Sequence, residues 1–127
     1  EIAKALKNPH AYLLLGLSYL KGVGVEMSIP DAIDNLLIGE KLKCPECSFH
    51  LGVIFHQEKD FINIDKATHH LRKASLKKHA KAFFILGTIY LKDDEDKALK
   101  YIKKAASLGS KTARKFLLKQ KSEHLTQ

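Results

Sequence analysis

The chain is 127 residues long and 45% hydrophobic, which bounds it to one domain able to bury a core without disulfides or a structural metal. It has no apolar run of about eighteen residues, which excludes a membrane-spanning helix from the sequence. Its formal charge is +8 and almost entirely lysine, Arg72 and Arg114 being the arginines; that argues against bidentate reading of phosphates or carboxylates, and for a solvated lysine coat that favours acidic partners over basic ones.

In chain order, a first helix is expected from about His10 to Lys21. Ala11, Leu14, Leu15, Leu17 and Tyr19 recur at helical spacing. Pro9 stands where a first turn tolerates a missing N–H, and Gly22 and Gly24 stop the helix. A second helix starts between Ser28 and Asp31, with Pro30 early in it. Pro45 opens a third helix as Pro9 opens the first. A fourth carries Ala67 and Leu71, a fifth Ala82 and Leu86, and a sixth Ala98 and Ile102. Ahead of the sixth lies Asp93-Asp94-Glu95-Asp96, whose carboxylates complement a helix N-terminus. A last helix, from Ala113 to about Glu123, is polar through Lys115, Lys119, Gln120 and Lys121.

These helices share a register. Ala11-x3-Leu15-Gly16 returns as Cys47-x3-Leu51-Gly52 and as Ala82-x3-Leu86-Gly87, with Tyr19, Phe55 and Tyr90 three residues after each glycine. The glycines are 36 and 35 residues apart, a period that means stacked helical hairpins. The B helices align through Ala32, Ala67 and Ala98, then Asn35, His70 and Tyr101, then Leu36, Leu71 and Ile102. From Ile38, Lys73 and Lys104 it is nine residues to Cys47, Ala82 and Ala113, which implies one repeated B-to-A turn. Counting nine back from Ala11 makes Ile2-Ala3-Lys4 equivalent to Lys104-Ala105-Ala106. Residues 1–8 therefore read as the end of a preceding helix B, 9–44, 45–79 and 80–111 as three repeats, and 112–127 as a capping helix. The chain reads as a piece of a longer array. The A-to-B connection shortens from thirteen to twelve to eight residues, which loops absorb cheaply.

Taken together, the pattern Ala-x3-Leu-Gly-x2-Tyr-x2-Gly-x-Gly-Val followed by Lys-Ala-Ala-x2-Gly resembles the Sel-one-like repeat, a longer-looped relative of the tetratricopeptide repeat. The first repeat carries Ala11, Leu15, Gly16, Tyr19, Gly22, Gly24 and Val25. The third carries Asp96-Lys97-Ala98, Tyr101, Lys104-Ala105-Ala106 and Gly109. The second has Asp65-Lys66-Ala67 and Lys73-Ala74 without the Gly-x-Gly loop. The resemblance implies an all-α, right-handed α-solenoid of antiparallel helix pairs that binds other proteins as an adaptor or scaffold. Nothing in the repeat selects a compartment; a bacterial secreted, periplasmic or cytoplasmic protein fits it.

Catalytic and cofactor chemistry is not expected. Cys44-Pro45-Glu46-Cys47, with His50, offers three zinc ligands where a structural site needs four. In register Cys47 holds the small helix-A position, so it reads as a buried small hydrophobe beside a loop thiol. His70 fills the aromatic place of Tyr101 and reads as a packed ring. The acidic run lacks the glycine and distal glutamate of a calcium loop. Some cysteine-rich relatives staple each hairpin with widely spaced cysteine pairs; these are absent here, so a hydrolase of that type is the weakest of three functional readings.

The tetratricopeptide register marks candidate partner-binding residues along helix A: Leu13, Leu17 and Lys21 in the first repeat, Phe49, Val53 and His56 in the second, and Lys81, Phe84, Thr88 and Lys92 in the third. They suggest a groove for an apolar peptide or helix, with lysines steering an acidic flank. Packing between repeats is the competing explanation for the apolar members. The alternative function is lysine-mediated binding of an anionic surface, RNA or acidic lipid, with a steep salt dependence.

Overall fold

A side-chain acceptor stands just ahead of each helix and decides where it begins. In the computed structural model, which describes residues 7–125, the described residues form seven helices: α1 Pro9–Lys21, α2 Ile29–Lys41, α3 Pro45–Gln57, α4 Ile64–Leu76, α5 Ala80–Tyr90, α6 Glu95–Ser107 and α7 Lys111–Leu125. No strand occurs among the described residues. Asn8, Cys44, His79 and Ser110 cap the A helices α1, α3 and α5 and the last helix α7 by accepting from His10, Cys47, Ala82 and Ala113 N–H. Ser28, Asn63 and Asp94 do the same for the B helices α2, α4 and α6. Each cap satisfies an N–H that has no partner within its helix.

The B helices end on one turn used three times. Lys43, Lys78 and Gly109 lie in the left-handed region at φ 71°, 60° and 102°. The next N–H then reaches back five residues, Cys44 to Gly39 at 3.1 Å, His79 to Ala74 at 3.3 Å and Ser110 to Ala105 at 3.0 Å. This paired closure satisfies the last carbonyls of the helix, and it is the physical content of the nine-residue step. The A-to-B loops differ in length, yet all close alike: Ser28, Asn63 and Asp94 N–H donate to the carbonyls of Tyr19, Phe55 and Tyr90 at 3.0, 2.8 and 2.8 Å.

Two compact units divide the chain, the first running to Lys73 and the second from Ala74. In the first, α1 lies antiparallel to α2: Gly16 sits over Leu36, while the earlier residue Tyr12 meets the later Gly39. A Cβ on Gly16 would come within 2.6 Å of Leu36 Cγ. Gly52 of α3 faces Leu71 of α4 in the same way. The core gathers Leu13, Leu36, Cys47, Leu51, Ile54, Phe55 and Ala67, with Leu17, Leu20, Ile33 and Phe61 packed on its edge. In the second unit, a Cβ on Gly87 of α5 would meet Ile102 Cγ1 at 2.5 Å and the Ala98 carbonyl oxygen at 3.0 Å. Ile102, Ala105 and Ala113 form its core, flanked by Phe83, Phe84, Phe116 and Leu117. The three glycines therefore hold equivalent places. Leu36, Leu71 and Ile102 are fully buried, each contributing about 1.5–3 kcal/mol of transfer free energy. The expected helix-B end at residues 1–8 falls mostly on residues 1–6, outside those described.

Candidate functional site

Because the three A helices pack alike, the same positions on each are left open. His10, Glu46 and Lys81, at the start of each helix, are exposed. Leu17, Val53 and Thr88 are half-buried in all three repeats, as are Leu20, His56 and Leu91 one turn later. Lys21, Gln57 and Lys92, at the helix ends, are exposed again. His56 keeps a buried Nδ1 without a hydrogen-bond partner. Thr88 turns its hydroxyl back to the Ile85 carbonyl at 2.8 Å.

The remaining candidate positions are more enclosed than the register suggested. Leu13 and Phe49 are only 8% and 9% exposed. Leu13 belongs to the first core, against Leu36 and its neighbours, so it serves packing where a groove residue was expected. Phe84 is half-buried, its ring edge-on to Phe116 of α7 at 6.4 Å. Of the ten candidates, eight retain accessible surface: Leu17, Lys21, Val53, His56, Lys81, Phe84, Thr88 and Lys92. Leu17, Lys21, Val53 and His56 lie in the first unit, and Lys81, Phe84, Thr88 and Lys92 in the second.

A buried polar network on Glu40 has no signature in the repeat spacing. Its carboxylate, 7% exposed, accepts from His70 Nδ1 at 2.6 Å and Ser48 Oγ at 2.8 Å, and Lys73 Nζ lies 3.3 Å away. Helices α2, α3 and α4 are joined at this one point. Burial acts to raise the Glu40 carboxyl, but the His70 and Ser48 hydrogen bonds and the nearby Lys73 ammonium outweigh it and hold the group below its ordinary value. His70 is also pushed down: its own burial is the largest influence, and the attraction of Glu40 offsets only part of it. With His70 pushed below its ordinary value, the contact at neutral pH is read as an imidazole donating from Nδ1–H to a carboxylate that only accepts. The position equivalent to Glu40 is Ser75 in the next repeat and Ala106 in the last, so a carboxylate stands at this place only where the first hairpin meets the second.

His70 also stacks on Phe55, ring centroids 5.7 Å apart, as Tyr101 stacks on Tyr90 at 5.7 Å in the next repeat. Lys66 and Lys97 lie over the Phe55 and Tyr90 rings at 5.4 and 4.4 Å. The packed-ring reading of His70 therefore holds. Asp94 of the acidic run is the cap of α6. Among the described residues no group of three or more His, Cys, Asp or Glu side chains could hold a metal ion. No helix among them is long and apolar enough to cross a membrane.

Helix pairs repeated in one register, with equivalent glycine contacts and equivalent turns, define an all-helical repeat protein of the α-solenoid class. No protein-family model matches the chain, and no curated protein matches it. Among solved structures it is similar to a Sel1 repeat protein from Oxalobacter formigenes, at 29% identity and TM-score 0.78 over 87% of this chain and 46% of that one. It is also similar to c5321, a protective antigen present in uropathogenic Escherichia coli strains and displaying an SLR fold, at 22% identity and TM-score 0.80 over 87% of this chain and 25% of that one. The second likeness is one of fold alone. The chain thus has the Sel1-like helical repeat fold, as its motifs indicated, and it spans less than half the length of either structure.

Proposed function

We propose that this chain is a non-enzymatic scaffold that binds a partner protein or peptide along the A helices of its repeats. The observation that carries the reading is the recurrence of exposure along α1, α3 and α5. Half-buried Leu17, Val53 and Thr88 lie between exposed His10, Glu46 and Lys81 at one end and Lys21, Gln57 and Lys92 at the other. A partner laid against one A helix meets a half-buried centre and polar margins on each, the centre being apolar at Leu17 and Val53. The margins of the first and third repeats' strips carry the exposed lysines Lys21, Lys81 and Lys92, so an acidic flank on the partner is favoured. Such positions serve recognition by complementarity, with apolar anchors for affinity and charge for encounter rate.

The test is site-specific photocrosslinking. A crosslinker placed in turn at Leu17, Val53 and Thr88 should capture a common partner. The same group at Asp34, His69 and Lys100, exposed and equivalent positions on the B helices, should not. Equal capture from both sets ends the proposal. Capture that vanishes in step with rising salt for both sets would point instead to the lysine coat and an anionic surface.

A further inference from the structure

We propose that Cys44 and Cys47 form a reversible thiol–disulfide pair, Cys44 being the attacking sulfur and Cys47 the resolving one, with low-molecular-weight disulfides such as glutathione disulfide as the oxidant. Cys44 is half-exposed and caps α3, its Sγ accepting the Cys47 N–H at 3.3 Å. Of the two sulfurs it is the one that solvent reaches, so an external disulfide meets it first. Cys47, one turn on, is fully buried, and both cysteines are free. Its thiol lies within hydrogen-bonding reach of Cys44, and burial first, then Cys44 and the carboxylates of Glu40 and Glu46, push it well above the ordinary thiol range. A helical cap and the third helical residue are spaced within the span of about 4.4–6.8 Å that a disulfide bridges between Cα atoms.

The repeat register supplies independent support. The equivalent cap-and-small pairs are Asn8 with Ala11, His79 with Ala82 and Ser110 with Ala113, so only this repeat puts sulfur at both positions. It is also at this junction that the preceding B helix, α2, presents Gly39 where Ala74 and Ala105 stand elsewhere. A Cβ on Gly39 would run into Cys47 Sγ. The backbone of α2 thus leaves room for that sulfur.

The reaction balances in two exchanges. Cys44 thiolate attacks glutathione disulfide; a Cys44–glutathione bond forms, the glutathione S–S bond breaks, and one thiolate leaves and takes a proton. Cys47 then loses its proton and attacks Cys44 Sγ; the Cys44–Cys47 bond forms and a second glutathione departs. The two cysteines are oxidised by two electrons and the glutathione disulfide is reduced by two. Cys47 Sγ packs on Gly39 of α2, so a bond formed at this sulfur acts on the α2–α3 contact.

The test equilibrates the full chain in buffers of graded reduced and oxidised glutathione, traps free thiols with a maleimide, and reads mass. Wild type should convert to a monomeric disulfide that dithiothreitol fully reverses. Cys47→Ala, which installs the residue found at Ala82 and Ala113, should instead accumulate one glutathione on Cys44. Cys44→Asn, which installs the cap found at Asn8, should leave Cys47 reacting with maleimide at least tenfold more slowly than Cys44 does in Cys47→Ala, with circular dichroism confirming folded helices in both. A wild type that stays a dithiol across the series, one that forms only intermolecular disulfides, or a Cys47 as reactive as Cys44 would each overturn the assignment.

Discussion

Cys47 and Gly39 fill one space between them. Where the last repeat pairs Ala105 with Ala113 in its core, this one pairs no side chain with a larger one. Gly39→Ala adds a methyl against Cys47 Sγ and against the Cβ atoms of Cys47 and Tyr12, at 3.3 and 3.4 Å. Overpacking of this kind costs about 1–3 kcal/mol, which outweighs the gain of about 1 kcal/mol from replacing a helical glycine. Gly39→Ala should therefore lower the urea midpoint, whereas Gly39→Ala with Cys47→Ala should recover most of the loss. A double-mutant cycle checks this, and two additive losses would refute it. Nearby, Glu40 and His70 set a pH dependence. His70 in the folded chain titrates below its ordinary 6.5, so the unfolded chain takes up the proton first and acid favours unfolding. Glu40, held below its ordinary 4.5, adds a loss of the same sign at lower pH. Stability should be full above about pH 7 and decline as pH falls through the His70 range, then through the Glu40 range. Denaturation of His70→Gln across the same pH series should lack the upper step.

At the scale of elements, the turn between hairpins carries strain that its residues do not need. Lys43 and Lys78 occupy the left-handed conformation that Gly109 occupies in the last copy. A side chain there costs roughly 1–2 kcal/mol before glycine's greater freedom in the unfolded chain is subtracted. Lys78→Gly should accordingly stabilise the protein by about 0.5–1 kcal/mol, read as a raised thermal midpoint; a lowered midpoint would mean that the lysine makes compensating contacts. The caps show the same latitude. Cysteine and histidine are not preferred N-cap residues, yet Cys44 and His79 perform the task of Asn8 and Ser110. The A-to-B loops vary in length while one hydrogen bond, from the helix-B cap to the carbonyl of Tyr19, Phe55 or Tyr90, closes them all.

Across the molecule, 22 basic residues against 14 acidic ones set the electrostatic character. A surface of this sign accelerates encounter with acidic partners more than it tightens the final complex. Once the photocrosslinked partner is in hand, the triple variant Lys21→Glu, Lys81→Glu and Lys92→Glu should slow association severalfold at low salt and change dissociation little. The difference from wild type should shrink by physiological ionic strength, where charges are screened beyond about 8 Å. Stopped-flow binding at two salt concentrations decides this; a change confined to dissociation would place these lysines inside the contact as anchors.

Much of the fold was legible because the repeat writes the same packing problem several times. Gly16, Gly52 and Gly87 could be aligned by spacing alone, and each proved to be where a B helix comes too close for a side chain. The nine-residue step was a turn, and Asp94 was a cap. Periodicity says which residues share a helix face, but not what covers that face. That is why Leu13 and Phe49, aligned with groove positions, turned out to be interior, and why Glu40, one polar residue in a polar stretch, gave no sign that Ser48 and His70 would converge on it from other helices. The order of amino acids alone determined the helices, their register and the repeat family, because those follow from local spacing. Which side chains stay open to a partner, which carboxylate is buried, and that Cys47 packs on Gly39 of another helix were decided only when separate helices came together, since burial and proton affinity depend on neighbours distant in sequence.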